Sequence, residues 1–235
     1  AASFSGVPSV SAVIIAAVDR TGLDDFGPDD FRDRLERWLG EGDRDTDRTG
    51  LGRLLLFNDR VRYAANRLRI HALLARHPEI HDEAIGAPII VVGLPRSGTT
   101  HLVNLIAADP RLRSLPLWES YEPVPTPGEP ATRDAADPRH QRCTGAWEAM
   151  QQTVPFLAAM HPMAPDHVHE ELELQLPDFT SYELEWVARV PEWRDHYLAT
   201  DQTPHYEYLR TVLKILQFDT DPTETEEWLQ SLDAV

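Results

Sequence analysis

The chain has 235 residues, of which 42% are hydrophobic, and its formal net charge is -17 at pH 7. This length and apolar content suffice for one fair-sized domain, or two small ones, with a real core. The negative charge argues against a nucleic-acid-binding protein, which would present a basic face. It does not exclude a small anionic ligand, because the local field at a pocket decides such binding.

Arginine supplies nearly all of the positive charge, since Lys214 is the only lysine among the 22 basic residues. The planar arginine side chain suits phosphate and sulfate oxygens. The single cysteine, Cys143, cannot form a disulfide within the chain, which fits a reducing compartment. The apolar run near the N-terminus lacks a basic start and is too short to span a bilayer. We therefore expect a cytoplasmic protein without a transmembrane segment.

Three helices are predicted before the first strand. The first covers residues 8–20, and the second lies within 27–42, where Pro28 suits a first helical position and Gly40 suits a stop. The third is long and amphipathic; it begins near residue 54 and is broken at His77-Pro78.

Three aspartates between the second and third helices have the spacing of a calcium-binding loop: Asp43, Asp45 and Asp47. In such a loop, however, a glycine makes the sharp turn and a glutamate binds the ion with both oxygens. Arg48 and Leu54 occupy those two positions. The pattern therefore favours a solvated loop.

The stretch PIIVVGLPRSGTTHLVNLI, at 88–106, combines a predicted strand, a glycine-rich turn and a helix. The strand, Ile89–Val92, is continuously apolar, as a buried parallel strand should be. The helix covers Thr99–Ala108, and a second short strand ends near Leu117. Together they predict one βαβ unit. A doubly wound sheet needs several more strands, and the sequence shows none.

The glycine-rich turn is predicted to bind an anion, because its backbone N–H groups and the helix N-terminus both attract negative charge. Gly93 permits the tight turn, and Gly98 lets a phosphate approach the backbone. Thr99 and Thr100 offer hydroxyl groups. The spacing is nearly that of the Walker loop, G-x-x-x-x-G-K-[ST], but Thr99 stands where that loop has lysine. The cation lies earlier, at Arg96.

The chain beyond residue 135 is predicted to be almost entirely helical. The expected helices lie at 137–152, 169–176, 181–190, 191–198 and 203–217. A group of histidines and glutamates invites a zinc interpretation: His161, His167, His169, Glu170 and Glu171. Because these residues sit in a loop before a helix with no clear third ligand, we do not predict a zinc site.

The segment GLPRSGTT resembles the 5′-phosphosulfate-binding loop of sulfotransferases that use 3′-phosphoadenosine 5′-phosphosulfate, and the WE at 118–119 strengthens the likeness. The resemblance covers roughly residues 1–217. It implies an α/β fold of the P-loop-like, three-layer α/β/α sulfotransferase type, here helix-rich and incomplete, with few parallel strands. The implied domains are an N-terminal helical region at 1–87, the core with its helical acceptor-side segment at 88–217, and an acidic tail at 218–235.

The resemblance also implies the roles of individual residues. Seven residues would bind the phosphosulfate co-substrate: Gly93, Pro95, Arg96, Ser97, Gly98, Thr99 and Thr100. Arg96 would in addition stabilise charge during transfer, and no metal would be needed. The expected general base is Glu119, which follows the second strand, and His101 is the second candidate.

The family pattern breaks after residue 217, where the residues that clamp the 3′-phosphate are not found and an acidic segment follows. Three functions therefore stay open. The first is sulfuryl transfer to a hydroxyl or amine of a small-molecule or lipid acceptor. The second is a non-catalytic remnant that binds phosphate-like anions weakly. The third, a P-loop nucleotide kinase or NTPase, is disfavoured by Thr99. The unpaired strand edges predict low stability and allow association with a second copy.

Overall fold

The computed structural model describes residues 9–42, 44–45, 47–86, 88–94, 96–132, 134–160 and 163–218. Eleven α-helices form within these residues: α1 (Val10–Thr21), α2 (Phe31–Gly42), α3 (Gly50–Arg76), α4 (Thr99–Ala107), α5 (Leu117–Tyr121), α6 (Pro138–Thr153), α7 (Leu157–Met160), α8 (Leu172–Gln175), α9 (Glu183–Val187), α10 (Pro191–Ala199) and α11 (Thr203–Gln217). Short 3-10 helices occupy Pro78–Asp82 and Leu176–Asp178. The described residues form two compact units, of which the first comprises those from 9 to 82 together with 172–215. The second comprises those from 83 to 171 together with 216–218.

Local capping residues explain where the first helices begin and end. The Ser9 side chain accepts a hydrogen bond from the N–H of Ala12 at the start of α1, and Gly22 ends that helix at φ 69°. Thr49 caps α3 in the same way, and α3 ends at Arg76, immediately before the predicted break. The helices predicted from sequence are present, although α2 begins at Phe31 rather than near Pro28, and α8 and α9 are shorter than expected.

The first unit has a continuous apolar core. Helix α1 packs along α3, and the core also includes side chains of α2, α9 and α10. Several large side chains are fully buried: Phe31, Leu35, Trp38, Leu68, Ile70, Leu176 and Leu184. Each such burial stabilises the fold by roughly 1.5–3 kcal/mol relative to exposure.

A buried carboxylate links four segments of the first unit. Oδ1 of Asp178 accepts hydrogen bonds from Arg34 of α2 at 2.5 Å and from Arg67 of α3 at 2.8 Å. Its Oδ2 lies 3.2 Å from Nδ1 of His205 in α11. Arg67 also donates to the carbonyl oxygen of Phe26 at 2.8 Å. Because every charge here has a partner, the cluster satisfies the requirement for buried ions.

The first predicted strand, Ile89–Val92, is not a strand in the structure. Ile89, Ile90 and Val92 are 62%, 74% and 86% exposed. None of the described residues in 88–93 forms a backbone hydrogen bond with another described residue. A strand exists only when a neighbouring strand pairs with it, and the described part of the chain supplies no partner.

The second predicted strand, ending near Leu117, is also wrong, since the described residues form a single isolated antiparallel bridge there, between Pro116 and Val168. The N–H of Leu117 donates to the carbonyl of His167 at 2.9 Å, and the N–H of His169 donates to that of Leu115 at 2.8 Å. Helix α5 begins directly at Leu117. The expected parallel pair is therefore replaced by a short antiparallel contact.

In the second unit, α5 packs on α6. Leu117, Trp118 and Cys143 form a small buried apolar cluster. Nearby, Arg142 forms ion pairs with Glu122 and Glu129 at 2.8 and 2.6 Å. Burial alone would lower the pKa of Arg142, but these hydrogen bonds outweigh burial and raise it.

Among the described helices, none combines the length and apolar character needed to cross a bilayer. Residues 219–235, and with them nearly all of the predicted tail at 218–235, lie outside the described residues.

Candidate functional site

The predicted phosphate loop forms a tight turn with two residues at positive φ. The N–H of Ser97 donates to the carbonyl of Leu94 at 3.1 Å, which closes the turn. Arg96 lies inside it at φ 67°, and Gly98 follows at φ 94°. Glycine adopts such angles freely, but a non-glycine residue is strained by about 1–2 kcal/mol. Strained backbone of this kind is frequent at functional sites. Pro95 lies outside the described residues.

Gly93 is required by close packing within the loop. A Cβ atom added at Gly93 would lie 2.6 Å from Oγ of Ser97 and 2.8 Å from Cγ2 of Thr99. The Ser97 hydroxyl and the Thr99 methyl group therefore both lie against Gly93. The structure thus brings together three residues that the sequence assigned to one site.

The start of α4 leaves backbone donors open. Its first helical hydrogen bond runs from the N–H of Leu102 to the carbonyl of Gly98 at 3.0 Å, and no side chain caps the helix. The N–H groups of Thr99, Thr100 and His101 therefore have no acceptor in the described part of the chain. Together with the helix dipole, these donors offer hydrogen bonds and positive potential to an anion.

Helix α4 is poorly covered. None of its nine residues, all of which the structure describes, is buried. Leu102 and Leu105 are 49% and 60% exposed, and His101 is exposed as well. Inside the helix, the Asn104 side chain donates to the carbonyl of Thr100 at 2.7 Å. The anion site is thus open to solvent.

Glu119 lies in an open cavity of about 440 Å³. The cavity is lined by Arg113, Ser114, Pro116, Trp118, Glu119 and Asp166. Glu119 is only 6% exposed, and its Oε2 accepts a hydrogen bond from Arg113 at 3.0 Å. No hydrogen bond or ion pair joins Glu119 to the phosphate loop within the described residues.

The wall of the cavity is held by buried charges. The guanidinium of Arg139 lies 4.8 Å from the centre of the Trp118 ring and makes an ion pair with the buried Asp137 at 2.7 Å. The Trp118 and His140 rings are 6.2 Å apart, and Nε2 of His140 lies 3.1 Å from Asp166. These contacts fix the orientation of Trp118.

Arg113 was not identified as a site residue from the sequence. The ion pair joins residues six positions apart, Arg113 before α5 and Glu119 within it, so neither helical nor strand periodicity reveals it. The only available signal is the pair of arginines in the segment RLR, at 111–113, before an otherwise apolar stretch.

The sequence contains a calcium-like pattern of aspartates and a zinc-like group of histidines and glutamates. One residue of each, Asp43 and His161, lies outside the described residues. In the loop between α2 and α3, Oδ1 of Asp45 accepts a hydrogen bond from the N–H of Asp47. Asp45 also pairs with Arg48 at 3.6 Å. The rings of His167 and His169 are 6.4 Å apart.

An apolar segment, a strained glycine-rich turn and a helix with open N–H groups follow one another in this part of the chain, an arrangement that suits phosphate or sulfate oxygens. The chain belongs to the sulfotransferase family, because the model of that family matches residues 88–217, more than half of the chain. No protein among curated sequences matches the chain.

Two solved structures are similar to this chain. Sulfotransferase STF1 from Mycobacterium tuberculosis H37Rv shares 28% identity with a TM-score of 0.74, over 88% of this chain and 57% of that protein. Sulfotransferase STF9 from Mycobacterium avium shares 27% identity with a TM-score of 0.77, over 91% of this chain and 55% of that protein. The sulfotransferase fold is therefore confirmed. The chain spans somewhat more than half the length of these relatives.

Proposed function

We propose that the loop from Gly93 to Thr100 binds the 5′-phosphosulfate of 3′-phosphoadenosine 5′-phosphosulfate and that the protein transfers its sulfuryl group. The observation that carries the proposal is the open start of α4, where the N–H groups of Thr99, Thr100 and His101 lack acceptors in the described part of the chain. Such donors suit sulfate and phosphate oxygens alike. Membership in the sulfotransferase family supports the phosphosulfate over other anions.

In the proposed reaction, a hydroxyl or amine of a small-molecule or lipid acceptor attacks the sulfur atom. The bond between sulfur and the bridging oxygen of the 5′-phosphate breaks, adenosine 3′,5′-bisphosphate leaves, and the acceptor proton passes to a base of the protein. Arg96 and the loop N–H groups stabilise the negative charge that grows on the departing oxygens. Ser97, Thr99 and Thr100 offer hydroxyl donors to the same group. We expect no metal to take part.

Glu119 is the proposed base. Its Oε2 is held by Arg113, its Oε1 forms no hydrogen bond within the described residues, and the adjoining cavity has room for an acceptor. His101, exposed beside the loop, is the second candidate. If Glu119 is the base, Glu119→Gln lowers kcat by about 10²–10⁴-fold, whereas His101→Gln leaves it nearly unchanged. The reverse result would assign the role to His101.

We also propose a cytoplasmic location. The single cysteine, Cys143, is buried in the cluster between α5 and α6 and cannot form a disulfide within the chain. A chain without an internal disulfide has no need of an oxidising compartment.

A non-catalytic remnant is the second candidate, and a specific observation favours it. The apolar segment Ile89–Leu94 is largely exposed, and α4 has no buried residue. A loop anchored on such elements would hold an anion only weakly, because the backbone must be ordered at the moment of binding.

Titration calorimetry with adenosine 3′,5′-bisphosphate and with magnesium-ATP tests the proposal. We expect the bisphosphate to bind more tightly than ATP, and Arg96→Ala to weaken its binding about tenfold through the loss of a charge-assisted hydrogen bond. Arg111→Ala is the matched control, because Arg111 pairs only with the nearby Asp109 in the described residues and is 85% exposed. Tighter binding of ATP would favour a kinase or NTPase. If neither nucleotide binds, the non-catalytic remnant is the favoured function.

A further inference from the structure

Arg113 presents unused hydrogen-bond donors to the cavity beside Trp118. Its side chain is 48% exposed and lines the cavity. Within the described residues, its one ion pair is the contact of a single guanidinium nitrogen with Oε2 of Glu119. A guanidinium carries five N–H donors. Most of these donors therefore remain available to a ligand in the cavity.

Besides Arg113, the cavity offers a ligand some apolar surface and a hydrogen-bond acceptor, while its second carboxylate, Asp166, lies 3.1 Å from Nε2 of His140. Pro116 and the 4% exposed Trp118 form the apolar part of the lining, and the Trp118 ring is held in place by Arg139. Oε1 of Glu119 accepts no hydrogen bond from the described residues, so it can accept one from a ligand. The volume of about 440 Å³ lies within the usual range for small-molecule sites.

We propose that this cavity binds a small hydroxy acid, with its carboxylate on Arg113 and its hydroxyl on Oε1 of Glu119. The inference rests on the proposed function, because the bound hydroxyl is then the acceptor and Glu119 its base. Arg113 becomes the residue that selects anionic acceptors. The ligand carboxylate also competes with Glu119 for the guanidinium, so that acceptor binding loosens the resting ion pair.

A pair of nearly isosteric phenols tests the selectivity. 4-Hydroxybenzoate carries the carboxylate, and 4-hydroxybenzamide replaces it with a neutral amide. Dissociation constants are measured without any nucleotide, by following the NMR signal of the Trp118 indole N–H, which Trp118→Phe identifies among the six tryptophans. We expect the benzoate to bind about three- to tenfold more tightly than the amide.

Three variants test whether Arg113 causes the preference for the benzoate over the amide. Arg113→Gln should abolish the preference by weakening benzoate binding alone. Arg111→Gln makes the same charge change two residues away, outside the cavity, and should leave both constants within about twofold. Glu119→Gln should strengthen benzoate binding, because it removes the carboxylate that competes for Arg113. If the ion pair only stabilised the cavity, Glu119→Gln would instead weaken benzoate binding.

The inference is overturned if neither phenol binds, if both bind equally, or if Arg113→Gln leaves benzoate binding unchanged. Arg113→Lys guards against a folding defect, since it keeps the charge and should keep most of the preference. Failure of the proposed function is seen separately, in the nucleotide titration at the loop. If the protein does not bind the nucleotide but still prefers the benzoate, the proposed function is wrong and the carboxylate-binding cavity is supported.

Discussion

Two isoleucines show how differently the two units treat apolar sequence. Ile70, on α3 of the first unit, is fully buried, whereas Ile90, in the segment before the phosphate loop, is 74% exposed. Helix α3 buries thirteen of its residues, while α4 buries none. The first unit buries a continuous apolar core by packing helices against one another. The second contains a segment with strand character that its described residues do not pair.

The difference has a physical origin in the two kinds of secondary structure. A helix satisfies its backbone hydrogen bonds within one segment, so it can form before its packing is complete. A strand depends for its hydrogen bonds on another strand. The second unit therefore has a well-formed loop and helix α4, but the apolar segment before them forms no strand pair with other described residues.

Two aspartates, the buried Asp178 and the partly exposed Asp109, give the largest expected difference in stability. Asp178→Asn should lower the free energy of unfolding by about 3–5 kcal/mol, because it leaves Arg34 and Arg67 buried beside a neutral group. Asp109→Asn, in the second unit, breaks an exposed pair with Arg111 and should change stability far less. Urea denaturation of both variants measures this. Equal effects would show that the Asp178 cluster does not stabilise the first unit.

The two isoleucines provide the second contrast. Ile70→Ala should cost about 2–5 kcal/mol in unfolding free energy through the cavity it leaves, whereas Ile90→Ala should stay within about 0.5 kcal/mol. Ile90→Ser should also reduce aggregation, since exposed apolar segments without a strand partner associate readily. Denaturation midpoints and light scattering measure these quantities. A large cost for Ile90→Ala would mean that the segment is packed, contrary to this description.

Histidine 71 gives the first unit a pH dependence. Burial, and next the nearby Arg67 charge, lower the pKa of His71 from 6.5 to about 4. The unfolded chain therefore takes up a proton between pH 6.5 and 4 that the folded chain does not. Over this range, stability should fall with falling pH by up to about 3 kcal/mol, and it should gain nothing from His71 above pH 6.5.

His71→Gln isolates this effect from the titration of carboxylates, which affects both proteins. Between pH 6.5 and 4, the unfolding free energy of the original protein should fall relative to that of His71→Gln. Above pH 6.5 the difference between the two should be constant. A difference that is constant across the whole range would show that His71 titrates normally in the fold.

Two glycines of the second unit give a smaller contrast, in ligand binding. Gly93→Ala should weaken adenosine 3′,5′-bisphosphate binding about tenfold, because the new Cβ displaces Ser97 and Thr99. Gly86→Ala is the control, since a Cβ there meets nothing within 4 Å. Calorimetry compares the two variants. Equal affinities would show that the packing over Gly93 does not shape the site.

Helix positions could largely be predicted from the sequence because their signals are local. The break at His77-Pro78, the start of α6 after Asp137 and the start of α11 at Thr203 each depend on one or two residues. The tight turn at 93–98 could also be predicted, because the conformations of Gly93 and Gly98 depend on their immediate neighbours; its binding of a phosphate stays a prediction.

The remaining features depend on residues far apart in the chain. Arg67 and Asp178 are 111 positions apart, and Arg34 and Asp178 are 144 apart, so no local pattern indicates their contact. The strand at 89–92 was wrongly predicted because apolar, β-branched sequence specifies a strand only when a partner is present. The pairing of Arg113 with Glu119 depends on the start of α5 at Leu117, where the sequence predicted the end of a strand.

Whether the N–H groups at the start of α4 bind the nucleotide is tested by an NMR titration of the full chain with adenosine 3′,5′-bisphosphate, in which the backbone amide signals are followed. We expect the amide signals of Thr99, Thr100 and His101 to move first and furthest, because these N–H groups receive the 5′-phosphate. The same titration of Gly93→Ala should show much weaker shifts. If the signals of these three amides do not shift while the nucleotide shifts others, the loop does not bind the 5′-phosphate and the proposed function is wrong.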